Sequence, residues 1–169
     1  MKTGATVAIT VGAVCVLAAV GATIVIATGA YNVAATSPHS KPVEWVLGAT
    51  VDRSVEVRAG RLKPPAAALN AKGKAGLQEF EDNLCVMCHG APGVEATGIG
   101  KGLYPPAPEL SKAVGDLSME EIYWIIANGI KDTGMPAFKA SRQENLWLIA
   151  SFVKRLNGMS ASDYQRLGP

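Results

Sequence analysis

The sequence predicts an all-α fold behind a single N-terminal transmembrane helix, and three observations predict it. No Lys, Arg, Asp or Glu occurs between Lys2 and Lys41. Beyond residue 72, three segments place their apolar residues at helical spacing, with start and stop signals around them. No strand pattern and no internal repeat competes with these helices.

The transmembrane helix comes first. From Val7 to Tyr31 every residue is Ala, Val, Ile, Leu, Cys, Gly, Thr or Tyr. At ~1.5 Å per residue such a helix exceeds the ~30 Å hydrocarbon core of a bilayer. The segment "VAAT" at 33 to 36 offers the small residues a signal peptidase accepts, but leader apolar regions hold only about 7 to 15 residues. Residues 1–31 are therefore expected as a retained anchor. Lys2 stays on the cytoplasmic side, and everything after Tyr31 lies outside, on the periplasmic face of a bacterial cytoplasmic membrane.

Sixteen Lys and Arg against fourteen Asp and Glu leave a formal charge of +2, and no basic run with interleaved aromatics appears. That balance excludes a nucleic-acid partner. A chain of 169 residues suits one ordinary domain with an appendage.

Residues 32–71 have the composition of a linker, punctuated by Pro38, Pro42, Pro64 and Pro65. Within it the spacing predicts an amphipathic helix near 42–58. Val43, Val46, Leu47, Val51 and Val55 form its stripe, Pro42 suits its first turn, Gly60 suits its stop, and Glu44, Asp52, Arg53 and Glu56 lie on the other face. A short isolated helix is marginal in water, so the stripe needs cover: core packing, a partner subunit or the membrane surface.

The third region, 72–158, holds the three helices, followed by a tail at 159–169. "AKGKAGLQEFEDNLC" sets Ala75, Leu77, Phe80 and Leu84 in near-helical register. "LSMEEIYWIIANGI" opens with a capping box, Ser118 to Glu121. "SRQENLWLIASFVKRLNG" is expected to begin at Ser141 with Glu144 as box partner, to bury Leu146, Ile149, Phe152, Val153 and Leu156, and to stop near Gly158. The long loop from Gly90 to Leu117 is rich in Gly, Pro and Ala, and a loop of that length in a compact domain needs an organiser other than secondary structure. A bound cofactor supplies one.

The chain has three cysteines. Cys15 falls inside the apolar run, where it serves as a small apolar residue. Cys85 and Cys88 stand with His89 in "DNLCVMCHGAPG". A disulfide between the pair would close almost no loop and stabilise little. Structural zinc needs four ligands, and Cys15 and His39 are the candidates left outside the cluster. A thioredoxin-like pair belongs beside a βαβ pattern, which is missing here. Cys-x-x-Cys-His is the attachment signature of c-type haem. Two thiols one helical turn apart reach the two vinyl groups on one porphyrin edge, and His89 follows as the proximal iron ligand.

From about Ala71 to Gly158 the chain resembles a class I c-type cytochrome. The resemblance rests on a helix with Gly73 and Phe80 leading into "CVMCHG", the loop "LYPPAPELS", the helix "EEIYWIIANGI", the turn "TGMPAF" and the helix "ENLWLIASFVKRL". It implies a class I cytochrome c fold, three or more helices around one covalent haem c. It implies that the first and last of these helices cross, with Gly73, Gly76 and Phe80 meeting Leu146, Trp147 or Ala150.

The resemblance points to Met135 as second iron ligand. The local chemistry agrees, because Gly134 lets the backbone approach, Pro136 stops helix continuation and a thioether suits Fe(II). Met87, Met119 and Met159 are poorly placed for that role. The resemblance implies that a backbone carbonyl of the Pro-rich loop, that of Pro105 or Pro106, holds the His89 ring; Tyr104 and Trp124 are candidates for packing on the haem or bonding a propionate, with buried aromatic core the leading single role for Trp124.

Two filled axial positions leave no open site for a substrate, so the expectation is an electron carrier rather than an enzyme. The region from Lys72 onward carries ten basic and eleven acidic side chains, too balanced for strong electrostatic steering. A membrane tether can supply the encounter instead. The leading expectation is a membrane-anchored monohaem cytochrome c that carries single electrons between respiratory or photosynthetic membrane complexes. The alternatives are a fixed cytochrome subunit of a larger membrane oxidoreductase, and a haem enzyme or gas sensor in which Met135 does not ligate.

Overall fold

The computed structural model describes residues 2–71 and 73–168. The chain divides into two compact units, Met1–Ser37 and Pro38–Pro169.

The first unit is α1, Lys2–Thr28, and a short turn after it. Among the described residues this is the one helix long and apolar enough to cross a membrane, over Thr3–Thr28. Its threonines fit that environment. The hydroxyls of Thr10, Thr23 and Thr28 donate to the carbonyls of Thr6, Ala19 and Ile24 at 3.0, 2.9 and 2.7 Å. Each bond satisfies a polar group that lipid cannot.

The second unit runs α2 (Lys41–Ala59), α3 (Ala66–Leu69), α4 (Gly73–Asp82), α5 (Cys85–His89), α6 (Gly98–Lys101), α7 (Leu110–Ala113), α8 (Met119–Asn128), α9 (Gln143–Arg155) and α10 (Ala161–Leu167). The described residues contain no strand, only an isolated bridge between Ala91 and Val94.

The core is built on α9, with α4 crossing one side and α8 the other. The α4 crossing is close because Gly76 has no side chain: a Cβ there would stand 2.6 Å from both the Leu148 carbonyl oxygen and the Phe152 Cβ. One turn on, Phe80 is fully buried with its ring 5.4 Å from that of Phe152. Asn145 Nδ2 donates to Glu79 at 2.8 Å at the edge of the contact. The crossing expected from sequence is present, and the nearest neighbours of Gly76 in it are Leu148 and Phe152. Gly73 faces Leu167 of α10. Trp147 points to α8, where it stacks on Tyr123 at 3.9 Å.

Helix ends follow local chemistry. The α8 capping box forms, with Glu121 N–H donating to Ser118 Oγ and the Glu121 carboxylate accepting from Ser118 N–H. The box expected at Ser141 does not. Ser141 N–H donates to Phe138 O at 2.9 Å, which commits it to the preceding turn, and α9 starts one residue later from Arg142, whose guanidinium pairs with Glu144. At the other end, Lys154 Nζ donates to the carbonyls of Val114, Gly115 and Leu117 at 3.4, 3.0 and 2.5 Å, tying the segment that enters α8 to α9.

Two segments expected to lie outside the domain are packed into it. α2 lies on α8, burying Val55 and Ala59 with Val51 half-buried. Val43, Val46 and Leu47 stay exposed, so the five-residue stripe is split. Val46 and Val51 lie about 140° apart around a helix, too wide an arc for one contact. The C-terminal tail forms α10, whose Tyr164 is buried beside Phe152 and donates to Glu81 Oε1 at 3.0 Å. Burial first, and this bond second, push the Tyr164 phenol above its usual range.

Candidate functional site

The Cys-x-x-Cys-His stretch is a helix of its own. Leu84 adopts a left-handed backbone at φ 59°, ending the α4 direction so that α5 turns afresh from Cys85 to His89. The single continuous helix expected through Leu84 is thus two. Gly90 ends α5 at φ 63°, where a Cβ would strike the Val94 carbonyl oxygen at 2.6 Å, so only glycine makes this exit. Thr97 then ties the loop back, its N–H and hydroxyl both donating to Met87 O at 3.0 and 2.8 Å. Gly100 brings α6 against the back of α5, where a Cβ would lie 2.7 Å from Cys88 Cα.

Cys85 and Cys88 are free thiols, both half-buried. Burial pushes the Cys85 thiol up to about 11, with the neighbouring Cys88 adding to the rise. His89 Nδ1 lies 2.9 Å from the Pro108 carbonyl oxygen. A carbonyl only accepts, so Nδ1 carries the proton and the Nε2 lone pair is left for a metal. The expected carbonyls were those of Pro105 or Pro106. The extended loop offers one at every residue, and it comes abreast of the imidazole only as it turns into α7 at Leu110.

These groups border a cavity of about 410 Å³. Cys85, Cys88 and His89 line it from α5, Ile122, Ile125 and Ile126 from α8, Pro105, Pro106 and Pro108 from the loop, and Met135 and Pro136 from the turn after α8. Val51 of α2 lines it too.

The Met135 turn is held by its own bonds. Thr133 Oγ1 donates to Ile130 O at 2.8 Å and accepts from Met135 N–H at 3.1 Å, while Ile130 N–H donates to Met135 O at 3.2 Å. Gly129, at φ 66°, leaves room for the returning strand of chain: a Cβ would stand 2.7 Å from Met135 O. Gly134 makes space for Leu103, whose Cδ2 would lie 2.5 Å from an added Cβ.

The structure therefore brings Cys85, Cys88, His89, Met135, Pro105 and Pro106 around one space. Tyr104 and Trp124 are not among the described residues lining it. The Tyr104 hydroxyl accepts from His39 N–H at 2.6 Å, and its ring sits edge-on to the His39 imidazole at 5.1 Å, which joins it to the linker. Val51, Leu103, Pro108 and Thr133 were missed. Val51 had a signal, its place in the apolar stripe, and the other three lie inside the quoted motifs "LYPPAPELS" and "TGMPAF" without being singled out there.

The donor set fits haem c: two thiols one turn apart, an imidazole with a free Nε2, a thioether, and otherwise mostly carbon around the space. No group of three or more His, Cys, Asp or Glu among the described residues offers a metal site of another kind.

Residues 71–153 match the family model described as cytochrome C oxidase, cbb3-type, subunit III. The matched stretch takes in both thiols, His89 and Met135. This match and the helical fold define the class: the chain carries a class I c-type cytochrome domain. With Cys85 and Cys88 at the attachment spacing, its cofactor is covalently bound haem c and its business is electron transfer. No curated protein and no solved structure matches the chain in the corresponding comparisons.

Proposed function

We propose that this protein is a membrane-anchored monohaem cytochrome c that relays single electrons on the periplasmic side between membrane respiratory or photosynthetic complexes. The observation that carries the reading is that His89 and Met135 border the same apolar cavity as the two attachment thiols. Bound there, haem c supplies a one-electron ferric–ferrous couple.

Cys85 and Cys88 hold the porphyrin edge through thioethers. His89 would offer Nε2 to the iron, with the Pro108 carbonyl fixing its ring. Met135 would offer its thioether sulfur as the second ligand, on a turn held by the Thr133 hydroxyl. With an imidazole and a thioether both engaged, the iron would keep no place for substrate or oxygen, and the chain would act as a carrier instead of an enzyme. The isoleucines of α8 exclude water and keep the polarity of the site low. α1 supplies the tether.

Reductive titration of the detergent-solubilised protein, with ferricyanide reoxidation, tests this. One electron per chain at a single midpoint potential, repeatable over cycles, is expected. Turnover of oxygen or peroxide by the reduced protein alone would make it an enzyme.

A second reading, a fixed cytochrome subunit of a larger membrane oxidoreductase, draws support from the oxidase subunit named by the family model and from the exposed Val43, Trp45, Val46 and Leu47 of α2. Mild detergent extraction separates the two. A tethered carrier comes out alone, and a subunit comes out in stoichiometric complex.

A further inference from the structure

We propose that α2 is a wall of the haem cavity, and that Val51 on it excludes water from that side and so raises the haem's reduction potential. The inference rests on the haem c reading of the cavity and adds to it a segment outside the family-matched residues 71–153.

Three observations place α2 there. Val51 lines the cavity alongside Ile122 and Ile126 of α8. One and two turns further on, Val55 is 3% exposed and Ala59 1%, which seats the C-terminal half of α2 on α8. Ahead of the helix, His39 N–H donates to the Tyr104 hydroxyl at 2.6 Å, which fastens the approach to α2 onto the loop that carries Pro105 and Pro106. The helix is thus fixed on both sides of Val51. By contrast Val46, 51% exposed, lines a shallow groove on the outward face of α2 and does not line the cavity.

The physical consequence is electrostatic. Oxidised haem carries one more positive charge than reduced haem, and water or a nearby dipole favours the more charged form. A hydrocarbon wall withholds that stabilisation and favours the reduced form, so the potential is higher with Val51 in place.

The test uses the full-length, haem-loaded protein in detergent. Val51→Thr keeps the volume and adds a hydroxyl, Val51→Glu adds a carboxylate, Val51→Ile keeps the wall apolar, and Val46→Thr makes the same polar change on the outward face. Covalent haem is read from the alkaline pyridine spectrum, the midpoint potential from redox titration and folding from thermal melting. Val51→Glu is expected to favour oxidation by about tenfold or more, about 59 mV for a one-electron couple. Val51→Thr should move the same way by less, while Val51→Ile and Val46→Thr keep the parent potential. Unchanged potentials in both Val51→Thr and Val51→Glu, or an equal shift in Val46→Thr, overturn the proposal. If Val51→Glu fails to fold, Val51→Thr decides alone. A parent protein without covalent haem would overturn the underlying haem reading, an outcome distinct from haem-loaded variants that share one potential.

Discussion

The face of the cavity that carries Cys85, Cys88 and His89 is a single helix of five residues, whereas the Met135 face is gathered from Gly129, Thr133, Gly134 and Leu103 across the end of α8 and the Pro-rich loop. One face is local and covalent, and the other is many weak contacts in register. The difference teaches where damage should be all-or-none and where it should be graded.

Replacing both Cys85 and Cys88 with Ala should have the largest effect, complete loss of covalent haem on the pyridine haemochrome assay; haem that remains attached through acid–acetone extraction would break the comparison. Next comes the scaffold both faces share. Phe80→Ala removes a fully buried ring at the α4–α9 crossing and should cost about 3–5 kcal/mol in denaturant unfolding. Graded effects belong to the Met135 face. Thr133→Val leaves the Met135 N–H without its acceptor and should cost about 1 kcal/mol, with a weakened far-red sulfur-to-iron absorption band and covalent haem intact.

The smallest effect lies away from the cavity, at Tyr164. Its phenol is raised above the ordinary 10.0, mainly by burial. A raised folded-state value means stability that is full below pH about 10 and falls as the pH climbs beyond it, since the unfolded phenol ionises first. Melting temperatures followed from neutral pH into that range should show the fall in the parent and a flatter curve in Tyr164→Phe; parallel curves would remove Tyr164 from the account.

The same contrast explains what was legible in the sequence. Cys85, Cys88 and His89 declare themselves by spacing alone, and the Ser118 capping box by residue type, because each is a contact within one helical turn. Met135 was named through the family resemblance together with the Gly and Pro beside it, and the fold sets it at the border of the cavity. Pro108 was missed because every residue of an extended loop offers a carbonyl, and only the tertiary fold decides which one meets the imidazole. The bond from His39 to Tyr104 was not foreseen for a related reason, as the two lie 65 positions apart and His39 falls in what composition marked as a linker. The stripe on α2 was read as one face, but helical geometry spreads it over two, and only the half with Val51 and Val55 turns inward. Ser141 lost its box to a turn that claimed its N–H first.

His89 and Met135 are proposed to hold the iron between them. The absorption spectrum of the reduced protein with and without carbon monoxide, for the parent and for Met135→Ala, tests this pairing. A low-spin parent that ignores carbon monoxide, and a variant that binds it, are expected. A parent that already binds carbon monoxide, with the variant indistinguishable from it, would contradict Met135 ligation and turn the protein from carrier to sensor or enzyme.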